Sequence, residues 1–174
     1  MAITTHHNVS GELTHELLAS GDNFRVKKIS LTNVQKVAKC KVDLYIEKQL
    51  TGKFYLLKGV ELPIGATLIY EDATTFNNSA ENYGLYVKLT DGATFTLTGS
   101  IDVTGTNVNV PGTNTLFTSE LSIGDEVVIS GETRTIATIT SDTAATVTAA
   151  FGSDLANDTT PDCNPTALVD VILS

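Results

Sequence analysis

Hydrophobic and polar positions alternate with period two over much of the chain. Between Lys39 and Lys48, Cys40, Val42, Leu44 and Ile46 alternate with Lys41, Asp43, Tyr45 and Glu47, which predicts a strand with one dry and one wet face. Leu85, Val87 and Leu89 alternate with Tyr86 and Lys88 in the same way. Phe24 to Val34 predicts a long strand. Within it Val26 and then Ile29 and Leu31 change parity, which places a bulge near Lys27-Lys28. Lys53 to Lys58 follows a Thr51-Gly52 turn, and Ala66 to Glu71 follows a Pro63-Ile64-Gly65 bend. Thr94 to Val103 follows Asp91-Gly92, a hairpin signal, and closes the first unit. Only Glu12 to Ala19 carries helical spacing, at Leu13, Leu17 and Leu18, and a strand pair fits it as well.

The second half repeats the pattern in shorter pieces. Leu116 to Glu120 and Glu126 to Ile129 lead through a Ser130-Gly131 turn into Glu132 to Thr140. A Ser141-Asp142 turn leads into Ala144 to Ala149, and Ala167 to Leu173 is the last strand. Val127, Ile129, Ile136, Ile139, Val147 and Val171 are its expected core. Short hairpin-linked strands bury little as an open sheet, so a closed barrel is the economical solution. The expected fold is therefore all-β. It comprises an N-terminal β-sandwich, immunoglobulin-like or jelly-roll-like, and a small SH3/OB-like β-barrel.

Charge sharpens the division. Residues 1–101 hold ten of the eleven Lys and Arg and ten of the twenty Asp and Glu. Residues 102–174 hold one base, Arg134, and ten acids. Nine of the eleven aromatic residues also precede residue 101. Such a shift marks two units with different surfaces, expected here at 1–104 and 105–174. Thr, at 27 of 174 residues, suits half-solvated strand faces.

An apolar fraction of 41% argues against a disordered chain. No apolar run approaches the roughly 20 residues of a spanning helix. The net charge of -9 argues against nucleic acid as a partner. Met1 to His7 has no basic start and no apolar core, so no secretory signal is expected and the chain is expected to be made in a cytoplasm.

Candidate chemistry is sparse. No GxSxG elbow, HExxH or glycine-rich phosphate loop occurs, so no enzymatic activity and no cofactor are expected. Cys40 and Cys163 have no metal-ligand spacing and read as buried small hydrophobes, with a disulfide joining the halves as the alternative. His6, His7 and His15 read as solvated side chains of a terminal arm. An imidazole pair can take zinc or nickel, but no Cys or carboxylate pattern completes a site. Asp154, Asn157, Asp158 and Asp162 crowd one stretch. They read as an acidic loop, with calcium as the alternative, although the order of an EF-hand is missing. Tyr45, Tyr55 and Tyr86 alternate with charges on the first unit, and exposed aromatics on a wet face are frequent interface anchors.

Two ordered sets of motifs carry a resemblance. The first runs from Phe24-Arg25-Val26-Lys27-Lys28-Ile29-Ser30-Leu31-Thr32-Asn33 through Val42-Asp43-Leu44-Tyr45-Ile46. It continues in Phe54-Tyr55-Leu56-Leu57-Lys58 and Leu62-Pro63-Ile64-Gly65-Ala66-Thr67-Leu68. It resembles small β-sandwich structural proteins of tailed bacteriophages, cyanobacterial and other marine phages among them. The second runs from Pro111-Gly112-Thr113-Asn114-Thr115-Leu116-Phe117-Thr118 through Gly124-Asp125 and Gly131-Glu132-Thr133-Arg134 to Ser141-Asp142-Thr143. It is similar to a module common in phage virion proteins. The resemblance implies a non-enzymatic virion part, capsid decoration first, with a neck or tail component or a glycan- or receptor-binding module as alternatives. It implies phage capsid or neck and tail proteins as partners, together with copies of the chain itself in a symmetric array. It implies no catalytic residues.

Overall fold

The computed structural model describes residues 4–21, 25–48, 52–77 and 82–174. Phe24, Thr51 and the first three residues, on which parts of the expectations above rest, lie outside them. The chain is all-β with several antiparallel sheets and one short helix. It divides into two compact units, Met1–Gln35, Lys39–Asp91 and Ala167–Ser174 as unit 1, and Lys36–Ala38 and Gly92–Thr166 as unit 2. Residues 92–104, expected in the first unit, therefore belong with the second. The last eight residues, expected in the second, belong with the first.

Unit 1 begins with seven strands: β1 (Thr5–Ser10), β2 (Thr14–Leu18), β3 (Arg25–Asn33), β4 (Cys40–Lys48), β5 (Gly52–Leu62), β6 (Thr67–Asn77) and β7 (Tyr83–Thr90). The ambiguous 12–19 segment thus resolves as turn and strand. Sheet order in one half is β2-β7-β4-β5. The expected bulge is present, as a register shift between Val26 and Lys28 where β3 pairs with β6. Edge strand β5 slips twice against β4, once on each side of Leu44. Such bulges twist a long edge away from further pairing.

Unit 2 comprises β8 (Phe95–Thr96), β9 (Ser100–Val103), β10 (Asn109–Thr113), α1 (Phe117–Glu120), β11 (Glu126–Ile129), β12 (Glu132–Ser141), β13 (Ala144–Val147), β14 (Leu155–Asp158) and β15 (Asp162–Asn164). Its strands form one eight-stranded sheet, β14-β9-β10-β13-β12-β11-β15-β8. One apolar cluster includes Ile101, Val110, Phe117, Val127, Ile129, Ile136, Val147 and Phe151, with Ile139 packed against it. Ser130 and Gly131 both take positive φ, 48° and 87°, between the paired Ile129 and Glu132. Two such residues make the turn whose twist suits a two-residue hairpin.

The chain then returns. Strand β16 (Leu168–Leu173) lies between β1 and β3, in the order β1-β16-β3-β6. Its inward residues Val169, Val171 and Leu173 share a core with Val9, Ile29, Leu31, Val42, Leu44, Leu85 and Val87, which come from both four-stranded sheets of unit 1. Val171 is therefore a core residue of the first unit and not of the second. The run 94–103 is likewise two strands, not one. Asp91-Gly92 makes no hairpin, because β8 pairs with β15 instead of folding back on β7. Within the Leu116 to Glu120 segment, Phe117–Glu120 is a single helical turn that buries Phe117.

The two ordered sets of motifs have local structural reasons. The Asn33 side chain is fully buried, donating from Nδ2 to the Leu62 carbonyl (3.0 Å) and accepting at Oδ1 from the Gln35 amide (3.0 Å). Its backbone amide donates to the Ala66 carbonyl and its carbonyl accepts from the Gly65 amide, so one residue fixes the whole Leu62–Ala66 bend. In unit 2, Asp142 accepts from the Thr118 amide and hydroxyl, and its carbonyl accepts from Thr115 Oγ1 (2.6 Å) and the Phe117 amide (3.1 Å). Glu132 and Arg134 pair at 2.8 Å. Glu132 accepts from the Gly152 amide, and Arg134 Nε donates to the Ala150 carbonyl with its guanidinium 5.1 Å from the Phe151 ring. Asp125, completely buried, accepts from the Ser122 and Thr166 amides at 2.7 and 3.0 Å. These side chains build the fold.

Candidate interaction surface

Antiparallel registers bring the three candidate tyrosines into one row. Tyr45 of β4 stands opposite Tyr55 of β5 on one side and Tyr86 of β7 on the other. Directly paired residues share a face, and this face points away from the core lined by Val42, Leu44 and Val87. The Tyr45 ring lies 5.7 Å from Tyr86, stacked at 19°, and 5.5 Å from Tyr55, tilted at 52°. Both are favourable aromatic geometries.

The row differs from expectation in one respect. Tyr45 is only 1% exposed, Tyr86 is half-buried and Tyr55 is 42% exposed. Tyr45 is on the wet face but is covered by its two neighbours and by Lys53. The Lys53 Nζ donates to its hydroxyl at 3.1 Å and lies 4.4 Å from its ring centroid. Tyr45 is thus the support of the row, and Tyr55 is its accessible member. Lys58 Nζ lies 4.7 Å over the Tyr55 ring, and Lys48 Nζ 5.3 Å over Tyr83. Such cation–π pairs contribute about 0.5–1 kcal/mol at exposed sites.

Electrostatics reinforce the arrangement. The hydrogen bond to Tyr45 is the main reason the Lys53 ammonium titrates above its ordinary value. Partial burial, followed by the charges of Glu16 and Glu47, pushes the Tyr86 phenol up. Gly84 leaves room for it, since a Cβ there would stand 2.7 Å from the Tyr86 ring and hydroxyl and the ring would have to move. Phe54, 51% exposed, pairs with Ile46 and lies on the opposite face of the same edge strand. Lys53 and Lys58 were not among the expected site residues, although Lys53, two positions before Tyr55 in a strand, shares its face by period two.

The remaining candidates are dispersed. Cys40 and Cys163 are free, buried thiols in separate units, so no disulfide joins the halves. Burial pushes the Cys40 thiol up to about 11, with Asp91 adding to it, and burial with Asp125 raises Cys163 further. The acids of the 154–162 stretch are occupied separately. Asp154 accepts from the Gly105 amide (2.7 Å) and Asp162 from Thr96 Oγ1 (2.8 Å). Asp158 accepts from the Ser130 and Thr160 amides, and these bonds hold its carboxyl below the usual range against the upward push of burial. His6 and His7 point to opposite faces of β1, and burial followed by the charges of His15 and His6 lowers the His7 imidazole below 6.5. Among the described residues no group of three or more His, Cys, Asp or Glu is disposed to hold a metal ion. No helix among them is long and apolar enough to cross a membrane.

Comparisons with protein-family models, with curated proteins and with solved structures find no match to this chain.

Proposed function

We propose that the chain is a structural component of a tailed-phage virion, and most specifically a capsid decoration protein. In this reading unit 1 is an immunoglobulin-like or jelly-roll-like sandwich that docks, and unit 2 is an acidic SH3/OB-like barrel that stays solvated. The observation that carries the proposal is the Tyr55–Tyr45–Tyr86 row with its lysines. It is a rigid, aromatic, half-wet surface whose buried member locks the accessible one, so docking immobilises little that is not already fixed.

Charge supports the same division of labour. Unit 1 carries nine Lys and Arg against eleven Asp and Glu, whereas unit 2 carries two against nine. A nearly balanced unit meets little like-charge repulsion when many copies dock side by side. A strongly acidic one favours remaining in solvent, where copies repel and spread. Cementing then follows from many modest contacts acting together on a symmetric lattice. The virion reading also draws on the motif order in both halves.

The test is co-sedimentation of the purified chain with emptied phage heads and, separately, with isolated tails. Binding to heads at a copy number matching the capsid subunits supports decoration. Binding only to tails or connectors moves the protein to the neck or tail. Binding to neither, with a hit on a glycan array, replaces the reading with a receptor-binding module.

A further inference from the structure

The path of the chain carries a second inference. Among the described residues β16 is the only partner of β1, and it pairs β3 along Ile29 to Asn33. It places Val169, Val171 and Leu173 in the unit 1 core. Yet it comes after the whole of Gly92–Thr166. Without it, β1 has no sheet to join, one side of β3 is bare, and the core loses three buried apolar residues.

Unit 2 closes its own ends. Strand β8, just after the exit from unit 1, pairs with β15, just before the return. The Thr94 hydroxyl donates to Asn164 Oδ1 (2.6 Å), the Thr96 hydroxyl to Asp162 Oδ1 (2.8 Å), and the Leu97 amide to the Pro161 carbonyl (2.7 Å). Buried Asp125 holds the Thr166 amide at the last residue of unit 2. In unit 1, Asp91 Oδ1 accepts from the Ala167 amide at 2.6 Å, joining the last residue before the exit to the first after the return.

We propose that unit 2 folds first and acts as a clamp that delivers β16 to the gap between β1 and β3, so that unit 1 is completed last. The physical reason is loop closure. If Gly92–Thr166 is unfolded, β16 reaches its gap only by closing a long flexible loop, which the (3/2) ln n scaling makes unfavourable by roughly several hundredfold. If unit 2 is folded, the β8–β15 ladder has already brought the ends together. At equilibrium the coupling is reciprocal; the asymmetry lies in the order, because unit 1 lacks a strand until β16 arrives, whereas the unit 2 core contains no residue of β16. If the docking role proposed above is right, the tyrosine row is presented only by chains whose last strand is in place.

The test uses the full chain and amide hydrogen exchange, with no phage particle present, so its outcome is independent of the docking reading. On refolding of the wild-type chain with pulsed exchange, amides of 126–147 gain protection before those of 25–33 and 83–90. In Val127→Asp, at a fully buried position of unit 2, unit 1 opens at least tenfold more often. In Val171→Asp, and in the milder Val171→Ala, unit 1 loses protection while the amides of 126–147 stay protected in a folded unit 2. The proposal is overturned if unit 1 gains protection first or together with unit 2. It is equally overturned if Val127→Asp leaves unit 1 unchanged, or if either Val171 variant unfolds unit 2.

Discussion

Replacing Asn33 with alanine isolates the bend that joins the two sheets of unit 1. The side chain makes two buried hydrogen bonds, to the Leu62 carbonyl and from the Gln35 amide. Both partners are buried, Leu62 at 2% and Gln35 at 3% exposure, so water does not take over. Leaving a buried polar group unpaired costs about 1–3 kcal/mol, and two of them give about 2–6 kcal/mol. That is a large part of the roughly 5–15 kcal/mol that holds a domain folded. The chain has no Trp, and its five Tyr, at 45, 55, 70, 83 and 86, all lie in unit 1. Tyrosine fluorescence during urea unfolding therefore reports unit 1 alone. With a slope of about 1–3 kcal/mol per molar urea, Asn33→Ala shifts the midpoint down by roughly 1–3 M. A shift below about 0.3 M would falsify the assignment of Asn33 as the residue that holds the bend.

Three further outcomes follow from the same geometry. Gly112→Ala puts a Cβ against Thr115 Oγ1 and 2.9 Å from Phe117 Cζ, both on buried side chains. Overpacking of this kind costs about 1–3 kcal/mol, and unit 2 amides at 100–113 and 141–147 exchange faster; unchanged exchange contradicts the close packing. Neither Cys40 nor Cys163 reacts with a thiol reagent at pH 8 in the native protein, because burial keeps both protonated and shielded, and both react in urea; rapid native labelling of either refutes their placement. The lowered His7 pKa means that the unfolded chain binds its proton more readily than the folded one. Its contribution to stability is therefore complete above pH 6.5 and is lost as the pH falls from there towards the folded-state value. The urea midpoint of the wild type drops more between pH 7.5 and 5.5 than that of His7→Gln; equal drops remove His7 as the cause.

Much of this fold was legible locally. Cys40, Val42, Leu44 and Ile46 announced β4, the parity change after Val26 announced the bulge of β3, and Pro63-Ile64-Gly65 announced a bend. What local pattern does not carry is partnership at long range. The run Ala167 to Leu173 reads as a strand but not as a strand of the first unit, since nothing in it names β1 or β3. Asp91-Gly92 has the residues of a hairpin, yet the Asp91 carboxylate receives the Ala167 amide where the chain returns. The tyrosine row was legible as three aromatics on a wet face, but their order of burial was not. Tyr45 is shielded because β4 is an interior strand flanked by Tyr55 and Tyr86, and Tyr55 stays accessible because β5 is an edge. The acids from Asp154 to Asp162 look like one cluster in sequence. They separate because each meets the nearest free amide or hydroxyl, at Gly105, Ser130 or Thr96.

The docking role proposed for unit 1 is tested most directly by sedimenting emptied phage heads with the wild-type chain and with Tyr55→Ser and Lys58→Glu. These two exposed residues stand on the row without supporting the core. The wild type pellets with heads at capsid-subunit stoichiometry, and each variant binds at least tenfold more weakly while its urea midpoint stays within about 0.3 M of wild type. Equal binding by wild type and variants, or no binding of the wild type to heads, contradicts the account.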